Sequence, residues 1–345
     1  MGVALTELLL IKEIDLDFLR NKTLIVDAPM WLYQFLSSIR QRDGSLLTDS
    51  KGNVTSHLVG LLSRISNLSQ QSIKLAFAFD GTPPALKLRT LEKRKGIKQA
   101  AELNFQKAKE KADEELMKKY AARTSRLTPE MIEEAKRLVD SFGLPVIEAK
   151  SEAEAQASFI VKNGDAFAIA TNDADALLFE ASQIARNVSI AGKKKSMNKL
   201  SYSVVNPDLI VLNDNLKHLK INQDQLIALA MLIGTDYNSG GISGIGPKTA
   251  LKMVNKHGND FEAMFKEAKW GDFFDFSWNE VFDLFKNIPV NENYKLEWKV
   301  PDEDRIMKLL VEEHDFSEER VKAQIEGLME SKKKASQKGL GEFFG

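Results

Sequence analysis

Four apolar runs, each leading into acids, set the pattern of this chain. Thr23-Leu24-Ile25-Val26 closes on Asp27, and Ile73-Lys74-Leu75-Ala76-Phe77-Ala78-Phe79 closes on Asp80 and Gly81. Leu144 to Ile147 precedes Ser151-Glu152-Ala153-Glu154-Ala155, and Ala166 to Thr171 runs into Asn172-Asp173-Ala174-Asp175. Short runs of this kind, the last of them apolar almost throughout rather than alternating, predict buried strands of a parallel sheet. Helices are expected at Met30 to Arg40, after Ser151, and from about Leu226. The pattern is that of an α/β fold with a mixed, largely parallel central sheet flanked by helices.

Ligands of open α/β sheets bind past the carboxyl ends of the strands. Asp27, Asp80, Asp173 and Asp175 fall there, and Glu152 and Glu154 open the helix after the Leu144 strand. Asp236, in Leu232-Ile233-Gly234-Thr235-Asp236-Tyr237, follows the apolar helix. Taken singly, each has an ordinary explanation. An Asp after a strand is commonly the N-cap of the next helix. Ser151 with Glu154 three residues on reads as a capping box, with Glu152 an acid at the helix dipole. Repetition argues for a site instead, because seven carboxylates at one edge repel one another unless cations neutralise them.

Composition narrows the cation. The chain has no cysteine, which excludes a disulfide framework and thiolate metal sites and fits a reducing, intracellular compartment. Its four histidines, His57, His218, His257 and His314, are not beside these acids in sequence. Oxygen-only ligation points to Mg²⁺ or Mn²⁺, and two such ions about 4 Å apart make a phosphodiester-cleaving centre. No apolar run has membrane-spanning length, and no signal-peptide pattern opens the chain. Met1 to Thr6 loosely fits a myristoylation pattern, but no polybasic second anchor follows, so no lipid anchor is expected. A net charge of −1 gives no global case for a nucleic-acid partner, so that case rests on where the charges lie.

Val26-Asp27-Ala28, Phe79-Asp80-Gly81-Thr82-Pro83-Pro84, Ser151-Glu152-Ala153-Glu154-Ala155, Asp173-Ala174-Asp175 and Gly234-Thr235-Asp236-Tyr237 occur in this order. The set resembles the flap endonucleases, structure-specific 5′ nucleases of archaeal and eukaryotic type, over nearly the whole chain. The resemblance implies that Asp27, Asp80, Glu152, Glu154, Asp173, Asp175 and Asp236 hold two Mg²⁺ ions, with Mn²⁺ able to substitute. It also implies Mg²⁺-dependent cleavage of DNA one nucleotide inside a 5′-flap junction, with 5′-3′ exonuclease activity beside it. Ala174 and Lys150 depart from the family pattern, which has a bulky residue and a proline there; neither departure removes a ligand.

Leu86 to Arg126 is charged and helix-favouring, with thirteen Lys or Arg against six Asp or Glu. Such a run is ordinarily a solvated face, and that reading holds after Lys107. Lys87, Arg89, Lys93, Arg94 and Lys95, however, follow directly on the Asp80 loop. The resemblance makes 84–127 a helical arch and gives Lys87 and Arg94 the scissile phosphate. It makes Tyr33 a base-stacking residue rather than a core aromatic and puts Gly2 near the active site. Arg40, Lys193 and Lys194 are further candidate DNA contacts, the last two in a basic turn Gly192-Lys193-Lys194-Lys195.

Gly240 to Thr249 is glycine-rich, but Pro247 before Lys248 excludes a Walker loop. Its backbone amides suit close approach to a phosphate. It resembles the family's helix-two-turn-helix, placed at about 223–258, so Gly244, Gly246 and Lys248 are candidate duplex contacts with a K⁺ ion in the loop. The aromatic stretch Phe261 to Trp298 is expected to be core, without chemistry. One nuclease domain over 1–330 and a flexible polar tail at 331–345 are expected. In the tail, Gln337, Leu340, Phe343 and Phe344 look like a sliding-clamp-binding motif.

The chain therefore reads as a monomeric 5′ flap nuclease acting on flap and nicked DNA in replication and repair, with no membrane partner. It would work in the archaeal cytoplasm and nucleoid or the eukaryotic nucleus. The rival reading is a non-catalytic DNA-junction or clamp-binding adaptor of the same fold.

Overall fold

The computed structural model describes residues 5–110, 116, 120, 125–195 and 202–341. In chain order the elements begin β1 (Lys12–Glu13), β2 (Thr23–Asp27), α1 (Ala28–Ser38), α2 (Ser56–Gln70), β3 (Lys74–Phe79) and α3 (Ala85–Glu110). They continue α4 (Pro129–Ser141), β4 (Val146–Glu148), α5 (Ala153–Lys162), β5 (Ala168–Ala170), β6 (Gln183–Arg186), β7 (Gly192–Lys195), β8 (Tyr202–Val205) and β9 (Asp208–Val211). The last are α6 (Leu212–Leu219), α7 (Gln223–Ile233), α8 (Pro247–His257), α9 (Phe261–Glu267), α10 (Trp278–Asn287), α11 (Glu303–Met307) and α12 (Glu318–Gly341). Among the described residues the central sheet has seven strands and is mixed, mostly parallel.

The chain divides into two compact units, each built from separated stretches. One comprises Met1–Leu16, Asp80–Lys93 and Glu148–Glu292. In it β5 and β6 run parallel, with Ile169 opposite Ile184, and β9 pairs antiparallel with both β6 and β1. Buried Ala168, Ile169, Ile184, Ala185 and Ile210 line these strands. Helix α7 is buried from Leu226 to Leu232 and starts three residues before the expected Leu226, because Asn222 and Gln225 form a reciprocal capping box. Gly192–Lys195, expected as a turn, is a strand paired with β8. Tyr202, Val204 and Val205 give that pair the β-branched and aromatic character that favours extension.

The second unit comprises Asp17–Phe79, Arg94–Ile147 and Asn293–Gly345. Here β2 and β3 are parallel, from Thr23 opposite Lys74 to Asp27 opposite Ala78. Helix α1 begins at Ala28, not Met30, because the Asp27 carboxylate accepts the Met30 N–H and Pro29 occupies the first turn. It ends before Arg40, where Ile39 turns extended. Helix α12 lies on α2 and buries Val321, Ile325 and Leu328, one face of its first three turns. Its backbone stays helical to Gly341, through residues expected as a flexible tail; Lys332–Lys334, Ala335 and Gln337 are good helix formers.

The aromatic stretch is only partly core. Phe265, Trp270 and Phe285 are buried, Phe273 is exposed, and Phe274, Phe276, Trp278 and Phe282 are half-buried. Several line an open hollow of about 840 Å³.

Candidate nuclease site

Asp80 follows the last residue of β3 and is fastened to the head of α5. The Gly81 N–H donates to the Ser151 carbonyl (2.6 Å) and the Thr82 N–H to that of Lys150 (3.2 Å). Only glycine permits this approach, since a Cβ at Gly81 would stand 2.1 Å from the Ala149 carbonyl oxygen. The Asp80 carboxylate then accepts the Ala153 N–H at 2.8 Å, satisfying an amide of the first turn of α5. The capping box that the spacing of Ser151 and Glu154 would allow does not form. The N-cap is Glu152, with no side-chain cap bond, and the Ser151 hydroxyl donates to the Thr82 carbonyl at 3.2 Å.

Lys87, in the first turn of α3, reaches these acids. Its ammonium lies 2.8 Å from Glu152 Oε1 and 3.7 Å from Asp236 Oδ2. Burial alone would lower the lysine pKa; Glu152, Asp236 and Asp80 outweigh it and raise the pKa, so the lysine stays charged. Burial pushes the Glu152 carboxyl up, and Lys87 pulls against it.

Tyr237 is a member of the site that the sequence did not mark. Its buried hydroxyl donates to Glu152 Oε2 at 3.0 Å, so both oxygens of that carboxylate are engaged. Burial, then Glu152, raises the Tyr237 pKa, with Glu154 and Asp236 adding to the effect, and the phenol remains a donor. The ring rests 4.9 Å from that of Phe285.

The turn carrying Asp236 is held from within. Asn238 Oδ1 accepts from the Thr235 hydroxyl (2.6 Å) and N–H (3.1 Å), while Asn238 Nδ2 donates to the Met231 carbonyl (2.7 Å). Gly234, at φ +113°, lets the loop close, because a Cβ there would meet Gly241 N at 2.4 Å.

Asp173 and Asp175 form a local group past β5. Asp173 N-caps a short 3₁₀ turn by accepting the Asp175 N–H at 3.1 Å, and Asp175 is buried. Asp27 is buried at the end of β2 as the cap of α1. Both therefore take the capping role that such aspartates commonly have. Among the described residues, no three His, Asp or Glu side chains close into a metal cage. The donors nonetheless suit a hard cation. They are all oxygen, and a cationic ammonium already bridges Glu152 and Asp236. None of the described ion pairs of His57, His257 and His314 involves these acids.

Of the other candidates, Tyr33 is 40% exposed on α1, outside the core formed by Trp31, Leu32, Phe35 and Leu36. Arg40 is engaged within its own unit, donating to the Gly44 carbonyl and the Ser125 hydroxyl, both at 2.8 Å; burial lowers its pKa. Arg94 lies half-buried on α3. Lys193 and Lys194 are in β7. Gly244, Gly246 and Lys248 are exposed at the start of α8, and a Cβ at either glycine would meet nothing. Gln337 and Leu340 fall in the last turns of α12, while Gly2, Phe343 and Phe344 lie outside the described residues.

Carboxylates with a half-buried lysine among them, and no thiol or imidazole in their described ion pairs, suit the cleavage of phosphate esters and fit a nuclease of α/β type. The XPG N-terminal domain matches residues 2–101 and the XPG I-region residues 143–236. Flap endonuclease 1 of Pyrococcus abyssi is 45% identical over 344 residues, covering 100% of this chain and 98% of its own. That of Hyperthermus butylicus is 45% identical over 331 residues, covering 95% and 94%. The solved flap endonuclease-1 from Methanococcus jannaschii superposes with a TM-score of 0.75 at 38% identity, covering 96% of this chain and 98% of that one. The catalytic core of Rad2, solved with DNA substrate, shares the fold at 24% identity and a TM-score of 0.68, covering 95% and 100%. The chain belongs to the flap endonuclease 1 family. It is a structure-specific 5′ flap nuclease, a hydrolase of DNA replication and repair, and its family is metal-dependent.

Proposed function

We propose that this nuclease hydrolyses DNA phosphodiesters at 5′ flaps and nicked junctions using two Mg²⁺ ions, for which Mn²⁺ substitutes. Asp27, Asp80, Glu152, Glu154, Asp173, Asp175 and Asp236 would hold them. When bound, such ions activate water and neutralise charge on the phosphate and leaving oxygen. Everything else is work for the chain. The Ala153 amide orients Asp80, and the Tyr237 hydroxyl fixes the rotamer of Glu152. Lys87 and Arg94 stabilise the extra negative charge that the phosphate acquires in the transition state.

The observation that carries this reading is the Lys87 ammonium between Glu152 and Asp236, a fixed positive charge inside the carboxylate group. A non-catalytic adaptor has no use for an ammonium held between a buried and a half-buried carboxylate.

The same reading gives 84–127 the flap and Tyr33 a base to stack on. The open face at Gly244 and Gly246, with Lys248, grips the duplex backbone, with a K⁺ ion in that loop; Gly2, Arg40, Lys193 and Lys194 contribute further DNA contacts. Backbone gripping reads shape, not sequence. Residues 1–330 act as one monomeric nuclease domain, and 331–345 dock a sliding clamp through Gln337, Leu340, Phe343 and Phe344. The archaeal relatives support an intracellular enzyme; no helix among the described residues is long and apolar enough to cross a membrane.

The test is cleavage of a labelled double flap with Mg²⁺ or Mn²⁺ present or chelated, by wild type, Asp80→Ala and Lys87→Ala. Asp80→Ala is expected to abolish cleavage while retaining junction binding, and Lys87→Ala to lower the single-turnover rate at least ~100-fold. Metal-independent cleavage, or a normal rate in either variant, defeats the reading. Parallel bubble and blunt-duplex substrates measure the exonuclease share.

A further inference from the structure

The hollow formed by the aromatic stretch is a cation receptor by composition. Glu262, Asp272, Asp275 and Glu280 line it against Lys266 and Lys269, with Trp270, Phe274, Phe276 and Trp278 as walls. It is stiff: Trp270 Nε1–H donates to the Phe276 carbonyl at 2.7 Å, and the Phe274 ring lies 4.4 Å from Trp270 and 5.3 Å from Phe276. Immediately after Phe276, Ser277 and Glu280 close a capping box on α10. One cation of the same unit already reaches this element. Arg89 Nη1 lies 2.5 Å from Asp275 Oδ1, and its guanidinium carbon is 5.5 Å from the centre of the Phe276 ring.

Arg89 is two residues beyond Lys87 on α3, and at 100° per residue the two side chains leave opposite sides of the helix. Lys87 goes to Glu152 and Asp236; Arg89 goes to Asp275 and Phe276. We propose that the aromatic and acidic element around 270–280 is a guanidinium latch, with Arg89 a positioning residue that pins the first turns of α3 so that Lys87 meets the carboxylates. Arg89 and Asp275 are 58% and 72% exposed, so the latch is weak, salt-sensitive and reversible. This inference rests on the role given to Lys87.

Two readouts separate its failure from the failure of that role. The first is amide hydrogen exchange of the DNA-free, metal-free protein. Arg89→Ala and Asp275→Ala should each speed exchange at residues 87–91 about five- to tenfold, the scale of one exposed pair with a cation–π contact. Unchanged exchange overturns the latch, and changed exchange with normal cleavage overturns its positioning of Lys87; the role given to Lys87 fails separately, when Lys87→Ala itself cleaves at the normal rate. The second is single-turnover cleavage at 50 mM salt and saturating enzyme. Both variants should slow by a similar factor, their double variant no further, and the charge swap Arg89→Asp with Asp275→Arg should recover most of the rate. If Arg89 instead binds DNA phosphate directly, Asp275→Ala frees it and tightens junction binding while Arg89→Ala weakens it. That opposite pair of signs overturns the proposal.

Discussion

Glu152 is the residue on which the described site turns, with one oxygen on Lys87 and the other on Tyr237. A buried hydroxyl donating to a carboxylate contributes about 1.5–3 kcal/mol. Tyr237→Phe keeps the ring on Phe285 and removes only that bond. We expect it to lower unfolding free energy by about that amount in urea titrations and to slow cleavage through a loosened Glu152. An unchanged urea midpoint would show that the hydroxyl bond contributes nothing. The sequence exposed the acids because strand ends mark them, but an aromatic after Asp236 has the same signature whether it packs or donates. Only the 85-residue reach from Tyr237 to Glu152 distinguishes the two. Arg40 is the converse: a candidate DNA contact by sequence, a bridge between Gly44 and Ser125 in the fold.

At the scale of elements, strand and helix ends lay within a few residues of their expected places, and the differences have local causes such as Pro29 and the Asn222 box. The head of α5 is set non-locally. Ser151 and Glu154 have capping-box spacing, but Thr82 takes the Ser151 hydroxyl and Asp80 takes the helix amide from about 70 residues away. That arrangement depends on Gly81. Gly81→Ala drives a Cβ into the backbone carbonyl of Ala149, which has no flexible end to move aside. It should cost roughly 2–4 kcal/mol in stability, as clashes with backbone do, and displace Asp80 from α5. Gly246→Ala is the contrasting case, since Gly246 has an ordinary φ of −88° and nothing within 4 Å of an added Cβ. As the N-cap of α8 it should lose at most about 1 kcal/mol on becoming alanine, while under the proposed duplex grip affinity for nicked duplex falls, because the added methyl would meet the approaching phosphate. Equal duplex affinity in that variant would remove the loop from the DNA interface.

At the scale of the whole chain, one long-range closure is announced by no local pattern. In the second unit the loop at 49–53 meets the segment before α12, about 265 residues on: Asp315 accepts the Ser50 N–H at 2.9 Å, and His314 Nδ1 lies 3.0 Å from Asp49 Oδ2. Asp49 also accepts the N–H groups of Lys51 (3.0 Å) and Asn53 (2.7 Å) and the Asn53 side-chain amide (2.8 Å). His314 and His57 both approach Glu134, at 3.3 and 3.0 Å, so the cluster ties loop, α2, α4 and the chain's last third together. Desolvation would raise the Asp49 pKa, but the bonds from Asn53, His314 and Lys51 outweigh it and lower the pKa to about 2. A carboxyl whose pKa is depressed in the fold contributes stability that is fully present above its unfolded value, near 3.8, and is lost as pH falls through about 2. Asp49→Asn should therefore be less stable than wild type at neutral pH, and the gap should close as pH falls from about 4 to 2, where wild type loses its own charge. Denaturant titrations of both proteins at intervals across that window measure the gap, and taking the difference cancels the carboxylates that do not interact with Asp49. A gap that stays constant from pH 4 to pH 2 would mean that the charge on Asp49 does not hold the closure, leaving only its shape.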